Sequence, residues 1–188
     1  MTAAQSQEDT VLRSGDRTVI RTAEIVTPLG TMLAGATDDG ICLLEFVDSG
    51  RIEKQLRRLQ ELFQAELVTG KNPHISMLSF QLEEYFAGSR KEFDLIVMMP
   101  GTLFQQAVWK ELITIPYGET ISYQEEAERI GRPTAVRAVA RANGDNPISI
   151  VVPCHRVIGK NGKLVGYGGG LWRKQCLLDL EREHANST

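Results

Sequence analysis

The chain has 188 residues, 42% of them hydrophobic and 24% charged, with a net charge of −3; this suits one domain, or a small domain joined to a medium one, with an apolar core that needs no staples. No run approaches the roughly 18 consecutive apolar residues of a membrane helix, and the polar, acidic start MTAAQSQEDT has no signal-peptide core, so residues 1–17 read as a disordered tail on a soluble, cytoplasmic protein. Three widely spaced cysteines (Cys42, Cys154, Cys176) exclude a disulfide framework. His74, His155 and His184 are scattered and no CxxC occurs, so neither a metal nor another cofactor is expected.

TVIRTAEIV, TMLAGAT and ICLLEFV, within 18–47, are β-rich and separated by the turn signals TPLG and DDG, which predicts antiparallel strands. RIEKQLRRLQELFQAEL follows, with Ile52, Leu56, Leu59 and Phe63 at helical spacing, and reads as one amphipathic helix with charged outer faces. A second helix covers about 75–87, with Leu78, Leu82, Tyr85 and Phe86 on one side and Gly88 as its stop; FDLIV (93–97) reads as a short strand. Composition changes at Pro100-Gly101, a domain boundary that divides the chain into 18–99 and 100–188.

FQQAVWKELITI is a predicted helix with Phe104, Val108, Trp109 and Leu112 inward. ISYQEEAERIG, stopped by Gly131, and RPTAVRAVARANG, with Pro133 in its first turn, are two short helices joined by a short turn, the helix-turn-helix pattern. On the second, Ala135, Ala138 and Ala142 form a flat stripe beside Arg137 and Arg141. Such a face suits close approach to a groove, and equally suits tight helix packing with solvated arginines. From Arg129 to Lys174 the chain carries nine basic residues and one acidic, a window of +8 against −11 for the remainder. That asymmetry favours a polyanion, or else a solvated positive face balancing an acidic domain.

ISIVV (148–152) is β-branched and reads as a buried extended segment, followed by Pro153, Cys154 and His155. A thiol becomes a working nucleophile when a base lies within hydrogen-bond reach or one water away. Neighbours in an extended segment face opposite ways, so a water-bridged relay is the expected link; the alternative is an inert buried cysteine beside a capping histidine. VIGKNGKLVGY predicts a hairpin around Asn161-Gly162, and Gly166, Gly168, Gly169 and Gly170 surround Tyr167 in a loop open to a ligand. On the last helix, beginning near Leu171, Glu181 shares the apolar stripe of Leu177 and Leu178. There it either orients His155, completing a nucleophile–base–orienter triad, or reaches solvent at the stripe's edge.

PCHRVIG, GYGGGLWRK and LLDLE, with FQQAVWKELITIPYGETISY and AVRAVARANGDNPI upstream, resemble the O6-alkylguanine-DNA alkyltransferases, or methylated-DNA–protein-cysteine methyltransferases, over about 103–182. The first part resembles that family's first domain more loosely. The resemblance implies that Cys154 accepts the alkyl group, that His155 is its base through a water held with help from Asn146, and that Glu181 orients His155. It implies that Arg137 fills the gap left by an extruded nucleotide, within a DNA face of Ala135, Ala138 and Arg141, and that Tyr123 donates a proton to the leaving base. The backbone of Cys154, Val157 and Gly168, the Tyr167 side chain and Ser149 would form the base pocket. Two departures stand out: Cys176 where members often carry tryptophan, and Gly168 where some carry serine. The zinc site of some relatives' first domain has no ligands here.

These readings combine into an α/β (α+β) protein: a small antiparallel-sheet plus helix domain packed on a mostly helical domain with a DNA-binding helix-turn-helix. The expected function is single-turnover removal of alkyl groups from O6-alkylguanine, and from O4-alkylthymine, in flipped-out bases of double-stranded or single-stranded DNA. The expected state is a monomer, with self-association on DNA as an alternative. The rivals are a lesion-binding relative without transfer, a cysteine hydrolase and a transcription regulator.

Overall fold

The computed structural model describes residues 18–185; the expected tail, 1–17, lies outside the described residues. Strands β1 (Val19–Thr27), β2 (Gly30–Ala36) and β3 (Ile41–Phe46) form an antiparallel meander. β1 buries Ile20 and Thr22 on one face and Ile25 and Thr27 on the other, because both sheet faces are covered, and all six residues of β3 are buried, the charged Glu45 among them. Helix α1 (Ile52–Phe63) stops short of the sequence expectation. Gln64 turns left-handed, and Glu66–Thr69 becomes strand β4, parallel to β1, so the sheet is mixed, in the order β3-β2-β1-β4. Four residues that continued a helical string pair instead with the free edge of β1.

α1 covers one sheet face through Ile20, Cys42, Leu43 and Leu59. Helix α2 (Pro73–Phe86), capped by Asn72 with Pro73 in its first turn, covers the other through Ile75, Leu78, Leu82 and Tyr85. Residues 93–97 form only a single bridge, Val97 to Ile41, and not the expected strand.

The apolar face under α2 continues without a break into the helical half, through Trp109, Leu112, Val139 and Leu177. Helix α3 (Leu103–Thr114) opens with a capping box from Thr102 and Gln105. The two-residue strand β5 (Ile121–Ser122) leads into helix α4 (Tyr123–Arg129), again boxed, by Ser122 and Glu125. Helix α5 (Val136–Gly144) completes the helix-turn-helix. It begins three residues after Pro133, which lies in the preceding turn and not in the helix as expected. Strand β6 (Val157–Ile158) pairs with β5, and helix α6 (Leu171–His184) closes the chain. Asn161-Gly162 makes a turn, with the Gly159 amide donating to Lys163 O at 2.8 Å, but no strand follows it, so the predicted hairpin is a loop. Among the described residues no helix is long and apolar enough to cross a membrane.

Candidate active site

The segment leading to Cys154 is not extended. Leu44 of β3 donates to Pro147 O at 2.9 Å and accepts from the Ser149 amide at 2.8 Å, which fastens 147–149 to the sheet. Ile150 then sits at φ +72, with the Val151 amide bonded to Ser149 O at 2.9 Å: a tight γ-turn in a conformation rare for a β-branched residue. Such strain costs about 1–3 kcal/mol and persists only where its surroundings over-determine it. Pro153, at φ −83 and ψ 61, makes a second three-residue turn through Cys154 N to Val152 O at 2.9 Å. Cys154, His155 and Arg156 then form one 3-10 turn, which sends successive side chains in different directions.

Cys154 is nearly buried, and its Sγ accepts from Asn146 Nδ2 at 3.4 Å. Burial raises the thiol above its ordinary value; the Asn146 hydrogen bond and the Lys174 and Arg51 cations oppose that without reversing it. The resting group is therefore a thiol. Asn146 was expected to hold a water; it bonds the sulfur directly, gives its other N–H to Val152 O (2.8 Å), and accepts the Ile148 amide at 3.0 Å.

His155 is fully buried and places Nε2 2.8 Å from Glu181 Oε1. The carboxylate fixes the proton on Nε2 and leaves Nδ1 as the basic atom. Nδ1 has no hydrogen-bond partner among the described residues, and no direct bond joins it to Sγ. Burial lowers the imidazole below its ordinary value against the pull of Glu181, so it rests neutral.

Glu181 is a hub and not an edge residue. It accepts from the Tyr85 hydroxyl (2.8 Å), the Gly118 amide (3.0 Å) and, at 2.9 Å to each oxygen, the Arg156 guanidinium. Gly118 has φ +80, and a Cβ there would come 2.7 Å from Ala185 Cβ, so the amide's approach requires glycine. Burial alone would raise the carboxyl, but His155 and Arg156 hold it well below the usual range. Arg156 and Tyr85 are the partners that sequence reasoning missed: Arg156 was counted as surface charge, and Tyr85 as core.

Above the thiol lies a cavity of about 410 Å³ lined by Tyr123, Arg137, Asn143, Cys154, Tyr167 and Gly168 among others, with Arg51 reaching in from the first domain. Tyr123 donates to Val165 O at 2.8 Å, and burial pushes its phenol up to about 12. Val157 and Ser149, expected in the pocket wall, are buried beside it and not in its lining. Val157 O accepts from Lys174 Nζ at 2.6 Å, and the same ammonium holds Val165 O and Gly166 O, which anchors the glycine loop.

On α5, Arg137, Ala138 and Arg141 are exposed, Ala135 is the half-buried cap, and Ala142 is buried beside Val139. The alanine stripe is therefore the edge of the outer face and not its centre. Three of the nine cations in the basic window (Arg156, Arg173, Lys174) are buried in hydrogen-bonded networks. The exposed positive surface comes from the others, including Arg132, Lys160 and Lys163.

Fold and site together define a class: a helix-turn-helix protein with a cysteine at the floor of a cavity that its second helix borders. Family models for 6-O-methylguanine DNA methyltransferase match 20–98 (ribonuclease-like domain) and 103–183 (DNA binding domain). The methylated-DNA–protein-cysteine methyltransferase of Mycobacterium tuberculosis (strain ATCC 25618 / H37Rv) is 50% identical over 150 residues, 79% of this chain and 91% of that protein. The inducible one of Bacillus subtilis is 46% identical over 131 residues, 70% and 73%. A crystal structure of Mycobacterium tuberculosis OGT in complex with DNA superposes with a TM-score of 0.74 at 43% identity, over 90% of this chain and 96% of that one. The chain belongs to the 6-O-methylguanine DNA methyltransferase family.

Proposed function

We propose that this protein repairs DNA by direct reversal, moving the alkyl group of an O6-alkylguanine irreversibly onto Cys154. The observation that carries this is Cys154 itself, at the floor of a cavity bordered by Arg137 of the helix-turn-helix and backed by the buried His155–Glu181–Arg156 chain. A base in a duplex cannot reach that floor, so the damaged nucleotide is flipped out and Arg137 takes its place in the stack.

His155 Nδ1 takes the thiol proton through a bridging water, and Glu181, ionised and paired with Arg156, stabilises the imidazolium. Sγ attacks the alkyl carbon; the S–C bond forms as the C–O6 bond breaks, and the electron pair leaves on the guanine oxygen. Tyr123, still protonated because its phenol lies near 12, turns from Val165 O to protonate the guanine ring. Proton return from His155 to Tyr123 through solvent leaves a thioether and guanine as the net products. Among the described residues no group is placed to cleave the thioether, so each molecule acts once.

Double-stranded DNA carrying alkylated bases is the principal partner; single-stranded DNA and O4-alkylthymine are further substrates. A cytoplasmic monomer with domains at 18–99 and 100–188 completes the reading. Duplex DNA with one O6-methylguanine, supplied in excess, tests it: repaired guanine should plateau at one per protein, and Cys154→Ser should bind DNA without repairing it. Sustained turnover, or repair by Cys154→Ser, would overturn it.

A further inference from the structure

Helix α1 carries two stripes. Ile52, Leu56, Leu59 and Phe63 pack on the sheet. The polar residues 51, 54, 55 and 58, also at i, i+3, i+4 and i+7, do not simply face water. All four reach the same two-residue segment, Asp145-Asn146, at the exit of α5. Gln55, buried, donates Nε2 to Asn146 O at 3.3 Å, and Arg51 donates to the same carbonyl at 3.4 Å. Arg58 donates to Asp145 O at 3.2 Å and to Gln105 Oε1 at 2.8 Å, while Gln105 donates to the Asp145 carboxylate at 3.2 Å. Lys54 lies 3.7 Å from that carboxylate.

Asn146 is the residue whose amide meets Cys154 Sγ. Its side chain is committed at every atom: Oδ1 to the Ile148 amide, one N–H to Val152 O and the other to the sulfur. The amide therefore has no local freedom, and its placement against Sγ follows the position of its own main chain. That main chain is held by side chains of the first domain. We infer that α1 is a positioning element for the nucleophile, with Gln55 its central residue, acting through Asn146 on Cys154. This rests on the proposed role of Cys154 as acceptor. Gln55 touches neither sulfur nor substrate; it sets where the donor to the sulfur stands. A shift of about 1 Å in such a group is enough to change rates by up to a hundredfold.

The whole protein in a Cys176→Ser background tests this, because Cys42 is buried with its thiol pushed up to about 12 and stays silent. Two readouts are taken on Gln55→Leu: the pH dependence of Cys154 reaction with iodoacetamide, and the single-turnover rate on free O6-methylguanine and on duplex. The expected result is a thiol titration displaced to higher pH and transfer slowed about tenfold on both substrates. Duplex affinity should match the parent, because Gln55 is buried and does not line the cavity, while the thermal midpoint should fall by no more than the loss of one buried hydrogen bond requires. Arg58→Met, at a partly exposed position on the same stripe, should move both readouts in the same direction by less, and decides the matter if Gln55→Leu does not fold. An unchanged titration with unchanged rates would overturn the inference, as would slowing confined to duplex binding. If the parent itself transfers no alkyl group to Cys154, the proposed function fails first, and that outcome is read from the parent alone.

Discussion

Glu126 is a buried carboxyl inside the helix-turn-helix, and its removal should stabilise the protein in a pH-dependent way. It is fully buried; one oxygen lies 2.6 Å from Asn143 Nδ2 of α5 and the other has no hydrogen-bond partner among the described residues. Burial pushes it from 4.5 up to about 8; the Asn143 bond and Lys174 oppose this, and Glu111 adds to it. The folded protein thus keeps a proton here that the unfolded chain releases above about pH 4.5. Stability must fall as pH rises from there to about 8, with a slope approaching about 1.4 kcal/mol per pH unit. At pH 7 the accumulated penalty is about 3 kcal/mol, an order-of-magnitude figure. Glu126→Gln removes the titration and keeps an amide beside Asn143. Urea unfolding followed by fluorescence should show the variant level with the parent near pH 4.5 and about 2–3 kcal/mol more stable at pH 7. Taking the difference between the two proteins cancels Glu181 and His155, which both retain. A difference that stays constant with pH, or shrinks as pH rises, would refute the reasoning.

Glu181→Gln leaves Arg156 buried without its counter-charge, at a cost of about 3–5 kcal/mol. Thiol titration should move to higher pH and transfer should slow on every substrate; a titration unchanged in both this variant and His155→Ala would contradict the relay. The depressed Glu181 carboxyl contributes stability that is present above its ordinary range and lost as pH falls, so urea midpoints of Glu181→Gln should show less of this acid loss. Arg137→Ala should react almost like the parent with free O6-methylguanine and much more slowly with duplex at saturating protein; equal slowing on both would make Arg137 a support of the cavity. In Gly169→Ala the new Cβ would meet the Phe46 ring at 2.8 Å and Tyr167 at 3.0 Å. That overpacking, about 1–3 kcal/mol, should displace the loop and slow free base and duplex alike, while an unaltered rate on free base would show that the loop yields without cost.

Where side-chain pattern and burial coincide, the sequence was legible. The β-rich meander between its turn signals and the apolar stripes of α2 and α3 lie where local chemistry put them. Cys154, His155 and Glu181 were legible as a set because a carboxylate on an apolar stripe demands a partner. Positions decided by distant main chain were not. ISIVV is β-branched and reads as extended, yet the bonds from Leu44 bend it through Ile150 at φ +72. Charge was the other weak point: Arg156 and Lys174 look like surface cations and are buried network members, and α1's outer charges hold Asp145-Asn146. Glu126 sits in an exposed-looking helical pattern and is buried because α5 closes over it.

The account stands on one atom, Cys154 Sγ. Protein incubated with duplex DNA bearing isotopically labelled O6-methylguanine, then digested and mapped by peptide mass, tests it most directly. The account predicts one labelled methyl per chain, on the peptide containing Cys154, with Cys42 and Cys176 unmodified. Label on either other cysteine, or none on the protein after the lesion is gone, would contradict it.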